Sequence, residues 1–264
     1  MTQNIILSSN YFGQSLKGIG KNYFFFKNLL IKKKYIYYNT KCTGNLFTNL
    51  NNIYKINKKL NGKRINIGGD HSISIPTVAY SLNNYNNLKV IWIDAHADIN
   101  TYEKSITKNY HGMPLAFLTG MDENNKFDYI NKLLKFKNLL YIGLRDIDEF
   151  EKQVIKNNNI NVISINDIKY NFNNSIQKIN NFIDNDYLHL SLDLDSLDPS
   201  ILQCTGTKVN NGLFLEELLN ILKIIRNKKL INVDITELNL ELGNINDKLK
   251  SMNIFFKILD TLHN

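Results

Sequence analysis

Three short motifs rich in aspartate and histidine could bind metal ions. They are Gly68–Ser72 (GGDHS), Asp94–Asp98 (DAHAD) and Asp193–Asp195 (DLD). Their imidazole and carboxylate groups are N and O donors, and no cysteine lies inside the motifs. Such a donor set favours harder ions such as manganese or magnesium over copper or iron–sulfur clusters.

The motifs supply more ligands than a single zinc ion uses. Zinc is usually four-coordinate, and in catalytic sites it keeps only three protein ligands. The two imidazoles and the four well-placed carboxylates, those of Asp94, Asp98, Asp193 and Asp195, fit better to two ions that share bridging carboxylates. The chemistry that this pattern predicts is the generation of a metal-bound hydroxide near neutral pH.

Each motif follows an apolar run that is typical of a β-strand. Lys89–Ile93 and Tyr187–Leu192 are short and rich in branched or aromatic residues, and Arg64–Ile67 ends at Gly68 and Gly69. Ligands in open α/β sheets bind just beyond the carboxyl ends of the strands. We therefore predict that three strands direct metal ligands into one crevice.

The spacing inside the DAHAD motif predicts that its acidic and histidine side chains point the same way. Side chains in a strand alternate between faces with period two. If the extended path continues past Ile93, then Asp94, His96 and Asp98 share a face.

The ordered motifs resemble those of the ureohydrolases, the manganese enzymes that include arginase and agmatinase. The resemblance also rests on His111–Pro114 (HGMP) and Ser191–Pro199 (SLDLDSLDP), and extends from about Arg64 to about Leu240. It implies an α/β fold, with one doubly wound, mostly parallel sheet of about eight strands flanked by helices, in a single domain over residues 1–264. The strand candidates agree in number: they lie near residues 4–8, 35–38, 64–68, 89–94, 139–144, 161–165, 188–193 and 230–235.

The resemblance implies two Mn²⁺ ions per subunit and assigns their ligands. His71, Asp94, Asp98 and Asp193 would hold one ion, and Asp94, His96, Asp193 and Asp195 the other. A hydroxide that bridges the ions and is hydrogen-bonded to Asp98 would attack the guanidinium carbon. Glu237 matches the glutamate that binds the guanidinium group, and His111 matches a proton-shuttling histidine, whose ordinary pKa suits that task.

The resemblance also predicts L-arginine as the substrate, with L-ornithine and urea as products. Residues 98–111 keep the spacing of the loop that binds the α-carboxylate in arginases, and Asp148 matches the acid that binds the α-ammonium group. The implied substrate-binding residues are Asn100, Ser105, Thr107, Asn109, Asp148, Glu151 and Thr207. The alternatives are agmatinase or another hydrolase of guanidino compounds, a non-catalytic scaffold that kept the fold, and an RNA-binding protein.

Four residues have plainer interpretations beside the functional ones. His111 could be a turn residue and Glu237 an ordinary exposed acid at a strand end. His189 lies inside an apolar run, which favours a core histidine, and Asp198 before Pro199 is typical of a turn.

Composition sets the remaining expectations. The net charge is +8, yet the lysines are spread along the chain, so we predict no nucleic-acid partner. Two cysteines among 264 residues favour a reducing cytoplasm over a disulfide framework. No apolar run reaches the roughly 18 residues of a membrane helix. The family resemblance implies a homo-oligomer, either a trimer or a hexamer.

Overall fold

The computed structural model describes residues 3–16, 18–40, 42–122 and 127–263, so both ends of the predicted 1–264 domain lie outside it. Within these residues, eight strands form one sheet in the order β2-β1-β3-β8-β7-β4-β5-β6, and every pair is parallel. The strands are β1 (Gln3–Leu7), β2 (Tyr37–Asn39), β3 (Lys63–Ile67), β4 (Lys89–Ile93), β5 (Leu139–Ile142), β6 (Asn161–Ile163), β7 (Tyr187–Asp193) and β8 (Lys229–Thr236).

Helices cover both faces of the sheet. Within the described ranges they are α1 (Asn22–Lys32), α2 (Leu46–Lys59), α3 (Ser74–Asn84), α4 (Pro114–Thr119), α5 (Glu149–Asn157), α6 (Ile165–Tyr170), α7 (Phe172–Ile183), α8 (Leu215–Arg226) and α9 (Ile245–His263). The predicted fold class is confirmed, and each predicted strand lies within a few residues of an observed one.

Two apolar layers hold the helices on the sheet. In β4, Ile91 and Ile93 belong to the core cluster that includes residues of α1 and α6–α9. Val90 and Trp92 belong to the cluster that includes residues of α3–α5. This alternation follows from the period of two in a strand, and it explains why parallel strands are apolar on both faces.

The strand order decides where the motifs meet. β3, β8, β7 and β4 are consecutive neighbours, although they come from distant parts of the chain. Their carboxyl ends lead into Gly68–His71, Glu237, Asp193–Asp195 and Asp94–Asp98, respectively. All three aspartate- and histidine-rich motifs therefore lie along one edge of the sheet, at the crevice where doubly wound folds bind ligands.

Two glycines let the chain turn sharply after β3. Gly68 and Gly69 have φ values of 90° and 82°, which favour glycine. A Cβ atom on Gly69 would also lie 2.5 Å from the carbonyl oxygen of Asn10. The turn brings His71 over the edge of the sheet at the start of a short 3₁₀ helix, His71–Ile73.

The expectation of an extended path after β4 was wrong. The chain bends from Asp94 onward, and Asp98 has a left-handed φ of 49°. The period-two rule fails here because the regular strand ends at Ile93. Asp94 N still donates to the carbonyl of Ile142 on β5, but residues 94–96 form bends rather than extended backbone. Asp94, His96 and Asp98 nevertheless converge, because bends redirect their side chains.

Candidate metal centre and adjoining cavity

The first group of possible ligands, here called the inner cluster, consists of His71, Asp94 and Asp193. Ligand atoms of these three buried residues lie within 4.8 Å of one another. The Nδ1 atom of His71 is 3.0 Å from Asp94 Oδ2 and 3.2 Å from Asp193 Oδ2. Asp98 joins them, with its Oδ2 atom 2.8 Å from the same nitrogen. Four predicted ligands therefore surround one point.

The second group, here called the outer cluster, consists of Asp94, His96 and Asp195. The Nδ1 atom of His96 lies 3.0 Å from Asp195 Oδ2 and 3.5 Å from Asp94 Oδ1. Asp94 belongs to both clusters and presents a different oxygen to each histidine. This arrangement is what a bridging carboxylate requires.

The floor of the inner cluster is built by β4 and β7. The imidazole of His71 stacks on the indole of Trp92, with centroids 4.3 Å apart and planes inclined by 18°. The indole Nε1 donates to Asp94 Oδ2 over 3.0 Å. The other ring nitrogen of His71, Nε2, lies 2.8 Å from the hydroxyl of Ser191. These contacts fix the ring and direct Nδ1 toward the carboxylates.

The residues fit divalent cations. His71 Nδ1 is buried, and within the described part of the chain it has no hydrogen-bond partner of normal geometry, although three carboxylates approach it. Burial, followed by repulsion from Asp195 and Asp94, raises the pKa of Asp193 well above its usual value. Burial and the charge of Asp94 raise the pKa of Asp98 to about 6. Crowded buried carboxylates are expensive to ionise together, and bound cations remove that cost.

Glu237 and His111 lie beside the inner cluster. Glu237 is 4% exposed, so the interpretation as an exposed acid was wrong. Its Oε1 atom accepts from the backbone N–H of His71 over 2.8 Å and lies 3.3 Å from His111 Nδ1. Gln14 Nε2 donates to Glu237 Oε2 over 2.8 Å. Glu237 also has a φ of 64°, and strained backbone of this kind concentrates at functional sites.

The ion pair sets the charge of both groups. Burial alone would lower the pKa of His111, but its bond to Glu237 and the charges of Asp98 and Asp70 raise it to about 9. Burial would raise the pKa of Glu237, but His111 and Gln14 lower it below its usual value. Both groups are therefore charged near neutral pH.

A cavity of about 320 Å³ adjoins the clusters. Its walls combine carboxylates, imidazoles, hydroxyls and amides. Its lining residues are His96, Asp98, Asn100, Ser105, Thr107, Asn109, His111, Gly112, Asp146, Glu151, Asp193, Asp195 and Thr207. Most of the residues predicted to bind substrate thus surround one space beside the possible metal ligands.

Asp148 and Glu151 form the start of α5. The Asp148 side chain accepts from Glu151 N over 2.9 Å and contacts the Asn100 amide, so it lies one contact behind the cavity lining. Glu151 Oε1 accepts from the backbone of Ile99 over 3.2 Å. Burial and the charges of Asp98 and Asp148 raise the pKa of Glu151 to about 8. Both acids thereby brace the loop after β4.

Thr207 contacts a possible metal ligand. Its hydroxyl donates to Asp195 Oδ2 over 3.0 Å, while the residue also lines the cavity. The guanidinium of Arg145 supports the two loops that carry Asp195 and Thr207. It donates to the backbone carbonyls of Asp195 over 2.7 Å and Val209 over 2.9 Å. The outer cluster is therefore supported by loops.

The two residues interpreted as structural have structural contacts. His189 is fully buried, and its ring nitrogens lie 2.9 Å from Ser81 Oγ and 3.0 Å from Asp234 Oδ2. Asp198 accepts from Ser200 N over 2.9 Å, which is typical of a turn residue.

Sequence reasoning missed three residues at the site. Gln14 contacts Glu237 across 223 positions. It lies in a segment, residues 13–20, that resembles the first active-site loop of the family, but no role was assigned to it. Asp146 Oδ2 lies 3.6 Å from His96 Nε2 at the cavity, yet only its neighbour Asp148 was assigned. Ser191 was detectable in principle. It precedes Asp193 by two positions on the same strand, so both side chains lie on the same face of the sheet.

Comparisons with known proteins agree on one family. The model described as "Arginase family" matches residues 26–256. An arginase from Staphylococcus aureus is 37% identical over 207 residues, which span 72% of this chain and 68% of the relative. An arginase from Plasmodium berghei is 43% identical over 184 residues, or 66% of this chain and 52% of the relative. The chain thus spans about half the length of the latter protein.

Solved structures show the same likeness over the whole chain. The arginase of Entamoeba histolytica, described as a complex with L-ornithine, has a TM-score of 0.86 and 28% identity, and the match covers 99% of this chain and 98% of that one. The arginase of Bacillus subtilis gives the same TM-score, identity and coverage.

Proposed function

This chain belongs to the arginase family, and from that premise we propose that it hydrolyses the guanidinium group of L-arginine to give L-ornithine and urea. The observation that carries the proposal is a pair of ligand clusters that share Asp94 and adjoin a polar cavity. Relatives named arginase support the reaction. The E. histolytica protein, described with L-ornithine, supports an α-amino acid as ligand.

The proposed cofactor is two Mn²⁺ ions per chain. His71, Asp94, Asp98 and Asp193 would hold one ion, and Asp94, His96, Asp193 and Asp195 the other. Such ions supply Lewis-acid activation of water near neutral pH. The carboxylates and imidazoles of this chain hold them at fixed positions, and Asp98 is placed to accept a proton beside the inner cluster.

Glu237 is the proposed anionic partner of the guanidinium group. A carboxylate has about four acceptor positions. Among the described residues, His71, His111 and Gln14 contact the Oε1 atom of Glu237, whereas Oε2 accepts from Gln14 only. Oε2 therefore keeps room for a guanidinium donor. His111, which lines the cavity and contacts Glu237, is placed to give a proton to the leaving amine.

The amino acid end of the substrate is proposed to lie at the loop after β4. Hydroxyl and amide groups of Asn100, Ser105, Thr107 and Asn109 line this part of the cavity and can donate to an α-carboxylate. Asp148 remains the proposed partner of the α-ammonium group. Asp148→Asn should then raise the KM for arginine while leaving metal content unchanged, and Asp146→Asn is the matched comparison at the exposed edge.

Urea release tests the proposed reaction. The purified protein is loaded with Mn²⁺, given L-arginine and agmatine in parallel, and its metal content is determined on the same sample. We expect two ions per chain and urea from arginine only. Urea from agmatine alone would contradict the assigned carboxylate loop. Two bound ions without urea from either compound would contradict the assigned substrate.

Three further predictions of the sequence concern the whole protein. We propose a single domain over residues 1–264, a trimer or hexamer of identical chains, and a cytoplasmic location. No helix in the described part of the chain is long and apolar enough to cross a bilayer. Size-exclusion chromatography with light scattering checks the oligomer, and a monomer would contradict it.

A further inference from the structure

A row of polar residues crosses the centre of the sheet beneath the inner cluster. Asn66, Asp234 and Ser191 are register partners on β3, β8 and β7, and Trp92 of β4 continues the row. All four are 1% exposed or less. Trp92 and Ser191 touch the proposed metal ligands His71 or Asp94 directly. Asp234 is a buried carboxylate that remains without a function.

Asp234 is surrounded by polar groups. Its Oδ2 atom lies 2.8 Å from Ser74 Oγ, 2.6 Å from Thr77 Oγ1 and 3.0 Å from His189 Nε2. Its Oδ1 atom accepts from Asn66 Nδ2 over 2.8 Å. A carboxylate has about four acceptor positions. The hydroxyls of Ser74 and Thr77 and the amide of Asn66 donate to Asp234, and a ring nitrogen of His189 makes the fourth contact. Asp234 therefore fixes the direction in which its neighbours donate.

A short chain of hydroxyls connects Asp234 with His71. Ser74 Oγ lies 2.9 Å from Ser191 Oγ, and Ser191 Oγ lies 2.8 Å from His71 Nε2. Both serines are fully buried, so water does not compete for these bonds. Each hydroxyl has one proton to donate, and therefore the direction of one bond determines that of the next.

The directions follow in order from the carboxylate. Ser74 must donate to Asp234, so its oxygen is left to accept from Ser191. Ser191, having donated its proton to Ser74, accepts from His71 Nε2–H. The reverse order would direct the lone pairs of Ser74 at the carboxylate and leave Asp234 without this donor. His71 consequently carries a proton on Nε2, and Nδ1 faces the carboxylates of the inner cluster.

We propose that Asp234 is a positioning residue which, through Ser74 and Ser191, fixes the Nε2–H form of His71 and keeps its Nδ1 atom available to a divalent cation. The inference rests on the proposed metal centre and deepens it. Outer partners of metal-binding histidines commonly set the tautomer and ring orientation in this way. Among the described residues, Asp195 of the outer cluster is held instead by the Thr207 hydroxyl and by the backbone N–H of Ala95.

Manganese titration tests the inference. The background is His96→Asn, in which we expect only the inner position to bind metal, and free Mn²⁺ is followed by electron paramagnetic resonance. Ser74→Ala and Ser191→Ala should each raise the Kd by roughly 10- to 100-fold, the range known for such outer partners. The double variant should bind Mn²⁺ no more weakly than the single variant with the higher Kd, because both serines act along one chain of hydrogen bonds.

Ser81→Ala is the matched control. Ser81 is another fully buried serine of α3, and its hydroxyl contacts His189 on the far side of Asp234. All three single variants should lower the thermal unfolding midpoint of the metal-free protein, because each loses a buried hydrogen bond. Only the Ser74 and Ser191 variants should change the Kd. In Cd²⁺-loaded protein, the Nε2–H proton of His71 should exchange with solvent faster in these two variants alone.

The outcomes separate this inference from the proposed function. An unchanged Kd in Ser74→Ala, additive effects of the two serines, or an equal loss in Ser81→Ala would overturn the positioning role alone. A wild-type protein that binds no Mn²⁺ would overturn the proposed metal centre and this inference with it.

Discussion

The inner and outer clusters share Asp94 but lie in different surroundings. The His71 side chain is 1% exposed and rests on Trp92 and Ser191 in the interior of the sheet. The His96 side chain is 22% exposed, lines the cavity and lies near the exposed Asp146. The inner cluster is therefore supported by strands and a helix, whereas the outer cluster is supported mainly by loops.

The inner and outer clusters therefore show that two adjacent sets of possible ligands can differ in rigidity. Charges interact more strongly where burial lowers the effective dielectric, and buried pairs are screened less by salt. Loops open at lower cost than core strands do. We therefore expect the inner ion to bind more tightly and to exchange more slowly than the outer ion.

The largest expected effect comes from the residue that both clusters share. Asp94→Asn keeps the shape of the side chain but removes a charged ligand from each position. Metal affinity should fall at both positions by more than the roughly 100-fold seen for outer partners, and urea formation should fall with it. Metal analysis after dialysis measures the loss. Asp186→Asn, at a surface ion pair with Lys89, is the control. Two retained ions would show that Asp94 does not bridge.

His96→Asn should affect metal binding at the outer position and leave the inner position unchanged. We expect the metal content to fall from two ions per chain to one, because only the outer cluster loses its imidazole. The remaining ion should keep the Kd of the tighter wild-type position, as measured by Mn²⁺ titration. An equal weakening of both ions would contradict the independence of the inner cluster.

Arg145→Lys should loosen the outer cluster without changing its ligands. The guanidinium donates to several backbone carbonyls at once, including those of Asp195 and Val209, and a lysine cannot reproduce that fork. We expect about tenfold weaker binding of the outer ion, at the lower end of the range for outer partners. Arg226→Lys is the control, since Arg226 donates to the carbonyl of Thr261 away from the site.

The smallest expected effect is that of Thr207→Val, which preserves shape and removes one hydrogen bond to Asp195. A net loss of about 1 kcal/mol corresponds to binding of the outer ion that is a few-fold weaker. The KM for arginine, measured at saturating Mn²⁺, separates the two possible roles of Thr207. A higher KM with unchanged metal affinity would support direct contact with substrate and contradict support through Asp195.

Much of the fold, and the group of side chains that could bind metal, was predictable because the signals are local. Apolar, branched runs marked the strands, and paired glycines marked the turn after β3. The path after β4 was not predictable by alternation, since the bend at Asp94–Asp98 depends on contacts with His71 and the α5 region. Asp148 likewise proved to cap α5 as well as to contact Asn100.

The sequence by itself determined which side chains could bind metal and that each follows a strand, because hydrophobic period, strand-breaking glycines and motif spacing lie within a few neighbouring residues. Only the tertiary structure decided that β3, β8, β7 and β4 lie side by side. It also decided that Asp234 meets Asn66, 168 positions away, and connects through two serines with His71. Those contacts depend on how distant segments pack, and a local pattern does not encode that packing.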